Sequence, residues 1–343
     1  MKKKIVYLET IRIIAILLII FNHTDGYFYY FTTTDNILTY LYSLIGSVVC
    51  RTGVPLFIMI SGALLLEKEE TIREILRKRV LRIVIVAILF SFMYYIIKII
   101  RVSELKFSLL DFFVAFLGGT IQDSFWFLYI YAGLLLLLPF LKKLAMNLSN
   151  REFLYLIILR TIFGIICPVF TELTGIHVSG ELYLLDDFIF YMLLGYYLNS
   201  RVNVMKFDKK CLVTIVCIIL VSIVGAGGIT IVHFVREGEY DPISLDLFTP
   251  LIAQSIFLYI KYFCVHVKFS HKLNNGILLI GSCVFGIYLF EQLARIQLLP
   301  IYLFLTKYTF GILACTVYVL SCFLLAYVYT LLVKKIPWLG KLI

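Results

Sequence analysis

Residues 1–23 read MKKKIVYLETIRIIAILLIIFNH, a triple lysine followed by a long apolar run interrupted by Glu9 and Arg12. The basic start and apolar stretch resemble a secretion signal. No small-residue cleavage site follows, however, and Arg12 stands inside the run, so the stretch reads as a retained membrane helix. Its length suits a bilayer core, which one helix of about 20 residues crosses. The pattern recurs downstream near 43–66, 80–100, 124–141, 153–170, 182–199, 211–235, 246–266, 277–299 and 308–333. These runs predict an all-α polytopic membrane protein of about ten transmembrane helices, one domain over 1–343, with both termini cytoplasmic.

Composition agrees. Apolar residues make up 62% of the 343 positions and charged residues 15%, against roughly 45–50% and 25% in soluble domains. So little charge cannot clothe a water-facing surface, and the solvent implied is lipid. The net charge of +10 needs no nucleic-acid partner, because it is distributed as a membrane requires. Only Lys98, Arg101, Lys106, Arg236, Arg295 and Lys307 fall on the outer side, and Arg12, Arg51 and Arg160 within spans. The other twenty-two of the 31 Lys and Arg, from Lys2, Lys3 and Lys4 through Lys261 to Lys341, fall inside. That asymmetry is the positive-inside pattern of an even number of spans. The outer loops are acidic instead, with Asp25, Asp35, Asp111, Asp123, Glu172 to Asp187 and Glu237 to Asp246. Eight scattered cysteines without a C-x-x-C pair indicate neither a disulfide framework nor a metal site.

Charge within a span costs about 2.5–3.5 kcal/mol on insertion scales, which makes such residues functional candidates. Arg12 and His23 are eleven residues apart, about 20° from whole turns, so both project from one face roughly 16 Å apart along the axis. Glu9, one turn before Arg12, can hold its guanidinium. The first helix thus offers a cation on the inner side and an imidazole on the outer side of one space. The alternative is an arginine snorkelling inward and a hydrogen-bonded interfacial histidine. In CRTGVPLFIMISGALLL, Pro55, Ser61 and Gly62 permit a helix break and close helix contact, while Arg51 serves a site or the interface. The segment IREILRKRVLRI places Lys78, Arg79 and Arg82 at a cytoplasmic mouth. Arginine forks there suit phosphate oxygens, although inner loops are basic in any case. Trp126 stands at an outer interface. In GSCVFGIYLFEQLAR, Tyr288 and Glu291 share a helix face, and Arg295 lies one turn beyond, as an ion-pair partner of Glu291 or as part of a site. His177, Asp186 and Asp187 flank an outer loop within reach of a hydroxyl-rich acceptor.

Together these fragments resemble the membrane-bound acyltransferase family 3, ten-span enzymes that O- or N-acylate sugars and cell-envelope polymers. Glu9, Arg12 and His23 match its first-helix pattern, Pro55 to Gly62 its Pro-x-Phe-x-x-x-Ser-Gly stretch, and Arg79 and Arg82 its Arg-x-x-Arg. FWFLYIY from Phe125 matches its Trp-Phe-Leu helix, and FGIYLFE from Phe285 its Phe-Gly-Ile-Tyr-Leu block, with Glu291 where many members have histidine. The resemblance implies an acyl-CoA-dependent O-acyltransferase of a bacterial plasma membrane. Acetyl-CoA is the expected donor, a hydroxyl or amine of a sugar or envelope glycan the acceptor, and no metal is involved. It further implies His23, Arg12, Glu9 and Glu291 as catalytic, Arg79, Arg82 and Lys78 on the donor, and Arg51, Ser61, Trp126 and Tyr288 near the substrate. A polysaccharide or small-molecule exporter is the alternative. The sequence shows no paired Gly/Pro-interrupted spans in corresponding halves, the usual mark of a transporter repeat.

Overall fold

The structure is a computed structural model and describes residues 5–24, 37–102, 106–178, 187–238, 245–309 and 311–343. Lys2, Lys3, Lys4, Asp25, Asp35 and Asp186, named above, lie outside the described residues. The described residues are mostly helical and include no strand, as the uninterrupted apolar runs require in a solvent that cannot satisfy an open backbone. In chain order the helices are α1 (Val6–Asn22), α2 (Ile37–Cys50), α3 (Gly53–Leu65), α4 (Ile72–Arg101), α5 (Leu109–Leu117), α6 (Asp123–Asn147) and α7 (Asn150–Thr174). There follow α8 (Asp187–Ser200), α9 (Lys209–Glu237), α10 (Thr249–His266), α11 (His271–Gly281), α12 (Val284–Leu305) and α13 (Gly311–Lys334).

Seven helical stretches among the described residues are long and apolar enough to cross a membrane: α2 with α3, α4, α6, α7, α9, α12 and α13. The other expected spans coincide with α1, α8 and α10, which are shorter or carry more polar residues. α8 is nearly all buried in protein, so its outer surface has little lipid to meet.

Two expected spans are broken. Arg51 and Thr52 separate α2 from α3, and Pro55 sits in the first turn of α3, where a missing N–H costs nothing. The run expected at 277–299 is divided at Ser282 and Cys283 between α11 and α12. At the second break a continuous hydropathy signal registers nothing, because Ser282 and Cys283 are small and only mildly polar, whereas at the first Pro55 already permitted a break. In chain order the broken spans are the second and ninth expected, which are not corresponding positions of two five-span halves.

The described residues form two compact units. One comprises Met1–Glu67 and Ala145–Leu332, the other Lys68–Leu144 with Val333–Ile343. In the first, α1 packs against α2, α3, α10, α11 and α12, burying Leu8, Ile11, Ala15, Ile16, Ile19 and Ile20 at the three- and four-residue spacing of one helix face. Lys261 departs from its expected place among the inner-loop charges. It is buried in α10 and donates to the carbonyls of Leu198, Asn199 and Val202, each at 2.8 Å. Those are carbonyls at and just past the end of α8, which lack partners within their own helix and suit a cation.

In the second unit, Thr71 and Glu74 form a reciprocal capping box that starts α4. Directly after it, Leu76–Val80 adopt a π-turn. Lys142 closes the base of this unit by donating to the Lys68 carbonyl at 2.5 Å.

Candidate active site on the first helix

α1 carries two polar centres. Near its start, Arg12 Nη1 donates to both oxygens of Glu9, at 2.9 and 2.7 Å. The three-residue spacing that places these groups on one face also brings them into contact. Glu9 is buried, and it fits because Gly281, at the end of α11, has no side chain. A Cβ there would fall 2.3 Å from Glu9 Oε2.

At the other end His23 caps α1, its N–H returned to the Ile19 carbonyl. Its Nδ1 lies 2.9 Å from Oε1 of Glu291, a carboxylate on α12 that is fully buried. The second oxygen of Glu291 accepts from Arg295 Nε at 2.9 Å, one turn further along α12. Arg295 also donates to the backbone carbonyl of His23 and to Gln292, and its own carbonyl accepts from Tyr318 on α13 at 2.9 Å. A buried carboxylate is tolerable only when both oxygens are satisfied, and here each has a donor. The family described as "Acyltransferase domain" matches residues 5–333.

The chain belongs to acyltransferase family 3.

Comparison with curated proteins and with solved structures returns no match. As a multi-pass membrane acyltransferase, the chain distributes its remaining candidates unevenly. Tyr288 is buried on α12 one turn before Glu291. Ser61 donates to the Phe57 carbonyl of its own helix at 3.0 Å. Arg51, at the α2–α3 break, pairs with Asp246 at 2.5 Å.

In the other unit, Arg79 grips Glu70 with both arms of its fork, Nε to Oε2 at 2.6 Å and Nη2 to Oε1 at 2.7 Å. Arg82 donates through Nε to the Leu342 carbonyl at 2.8 Å. Lys78 pairs with Glu74 on the exposed face at 2.8 Å, and Trp126, at the start of the apolar part of α6, is exposed. The Arg79 guanidinium holds the Glu70 carboxyl below the usual carboxylate range. The pair is therefore complete above that range and is lost only as pH falls through the lowered value.

Sequence reading left Arg160 without a role. It lies in the middle of α7, pairs with Asp187 and occupies the space left by Gly164, where a Cβ would sit 1.2 Å from its Nη1. An arginine four residues before a glycine inside an apolar run was the available signal.

Proposed function

We propose that this acyltransferase moves an acyl group, with acetyl expected, from cytoplasmic acyl-CoA to a hydroxyl or amine of a sugar or envelope glycan. It would do so within a ten-span bundle of the plasma membrane with both termini cytoplasmic. One observation carries the reading: His23 is held between a buried carboxylate and a backbone clamp. Glu291 accepts from Nδ1, which makes Nδ1 the protonated nitrogen and leaves the Nε2 lone pair for a substrate. This is the arrangement by which a carboxylate orients a histidine base.

In the proposed step Nε2 takes the proton of the acceptor hydroxyl as its oxygen attacks the thioester carbonyl. The C–O bond forms, the C–S bond breaks, and the same nitrogen returns the proton to the departing thiolate. Imidazole is the side chain suited to both transfers near neutral pH. Glu291 stabilises the imidazolium between them. Arg12 is drawn by Glu9 towards the start of α1, away from His23. That geometry favours holding the donor over stabilising an oxyanion at the His23 end.

The test is thioester turnover by the purified protein in detergent. His23→Ala abolishes acyl transfer while CoA binding persists; full turnover in that variant removes His23 as the base. On the donor side, the Arg79 fork already holds a two-oxygen anion, and a phosphate offers the same geometry. Glu70 and phosphate then compete for one guanidinium. Glu70→Gln is expected to tighten CoA binding severalfold, read by calorimetric titration, whereas the Arg79→Ala, Arg82→Ala double variant weakens it at least tenfold. Unchanged affinity in both proteins assigns the phosphates elsewhere.

A further inference from the structure

We infer that Arg51, Arg160, Asp187 and Asp246 bind the acceptor through an uncharged, hydroxyl-rich ring, an inference that rests on the acyltransferase reading above. Arg160 is the residue to start from. It stands mid-span in α7, where a charge is retained only for a reason, and the chain is built around it. Ile162–Ile166 leave the α-helical ladder in a π-turn, a distortion frequent at functional sites, and Gly164 leaves the space its guanidinium fills. Its Nη2 pairs with Asp187, the first residue of α8.

Arg51 repeats the arrangement from the α2–α3 break, with Nη1 on Asp246. In both pairs the arginine is tucked in and the aspartate faces out. The arginine side chains are 18% and 17% exposed and their aspartates 51% and 52%. In both, the arginine Nε is buried without a hydrogen-bond partner among the described residues. Two such donors in one structure are unusual, because a buried guanidinium proton without an acceptor is costly. The pairs share a neighbourhood. Tyr191, buried on α8, is within electrostatic reach of Asp187, Arg160 and Asp246. The neighbourhood also adjoins the base: Cys50, next to Arg51, donates to Asn22 at 3.3 Å, and Asn22 precedes His23.

Charge decides the class of ligand. Two guanidinium groups and two carboxylates cancel. A uronate or phosphosugar must displace an aspartate to reach an arginine, and an amino sugar must displace an arginine. A neutral polyol displaces neither. Its hydroxyls donate to the outward carboxylate oxygens while the arginines keep their pairs.

The experiment uses the full-length protein in detergent and reads the melting shift on titration with glucose, N-acetylglucosamine and maltotriose, beside glucuronic acid, glucosamine and glucose 6-phosphate. CoA binding is measured on the same samples. A neutral sugar is expected to bind best, and Arg160→Met and Asp246→Asn to weaken it at least about tenfold, the loss of one or more charge-assisted hydrogen bonds. Asp246 is half exposed, so its variant tests the site without unfolding it. Gly164→Ala, which displaces the guanidinium but keeps its charge, should weaken binding as well. Equal sugar affinity in wild type and variants, preference for a charged sugar, or no sugar binding by a protein that binds CoA each overturns the site. Sugar binding through these residues by a protein that binds no CoA overturns the donor reading instead.

Discussion

Glu291→Gln is expected to leave a folded protein that turns over acyl groups on the order of 10³–10⁴-fold more slowly, the scale seen when a base histidine's carboxylate becomes an amide. The substitution keeps shape and volume and removes one oxygen's acceptor power. Arg295 can only donate, so it claims the remaining carbonyl oxygen of the new amide. The amide NH₂ then faces His23 Nδ1, 2.9 Å away in the native pair, and donates to it. Nδ1 becomes the acceptor, the imidazole proton moves to Nε2, and no lone pair faces the acceptor hydroxyl. The loss falls on kcat and leaves donor affinity alone, a split that single-turnover kinetics with CoA titration resolves. Wild-type kcat in Glu291→Gln would mean that the pair is only structural.

This relay shows where sequence reasoning stops. Glu9 with Arg12, and Glu291 with Arg295, were legible because helical spacing brings residues three or four apart into contact. The pairing of His23 with Glu291 was not, since 268 residues separate them and no local period encodes their meeting. Glu291, expected at the site although many relatives carry histidine there, had no partner across the fold that the sequence could name. In the fold it supplies the partner that orients the remaining histidine. Arg79 was expected to present an open fork, but the sequence cannot show that Glu70, nine residues earlier, returns across a capped helix start to occupy it. The partners of Lys261 and Arg160 were illegible for a shared reason. A hydropathy profile records a charge near an apolar run but not the carbonyls of α8, or the empty side of Gly164, that receive it. The helical membrane fold was legible because apolar length is a property of composition along the chain. The break at Ser282–Cys283 was not, because those two residues are small and only mildly polar.

Gly195→Ala should damage the fold severely for a single methyl group. α3 and α8 cross at a reciprocal contact: a Cβ on Gly62 would lie 1.8 Å from the Met192 carbonyl oxygen, and one on Gly195 2.0 Å from that of Met59. Glycine and its facing methionine are three residues apart on each helix, so each backbone rests in the notch the other lacks a side chain to fill. In lipid, helix association depends on this close approach, because apolar side chains gain little by leaving an apolar solvent. Most tight glycines can be relieved by a neighbour changing rotamer, but here the obstacle is main chain and no rotamer exists. The helices must part, and the buried face of α8 from Phe190 to Tyr196 loses its packing along the length. The cost sits at or above the upper end of the overpacking range, about 3 kcal/mol, or a fall of roughly 6–12 °C in melting temperature for a body of this size. Gly228→Ala is the control, since a Cβ there meets nothing within 4 Å and alanine is the better helix former. It should melt at or slightly above wild type. If Gly195→Ala melts alongside it in fluorescence-detected thermal unfolding, α3 and α8 do not touch through their backbones. The frame that holds Arg51 at the head of one helix and Asp187 at the head of the other would then need a different origin.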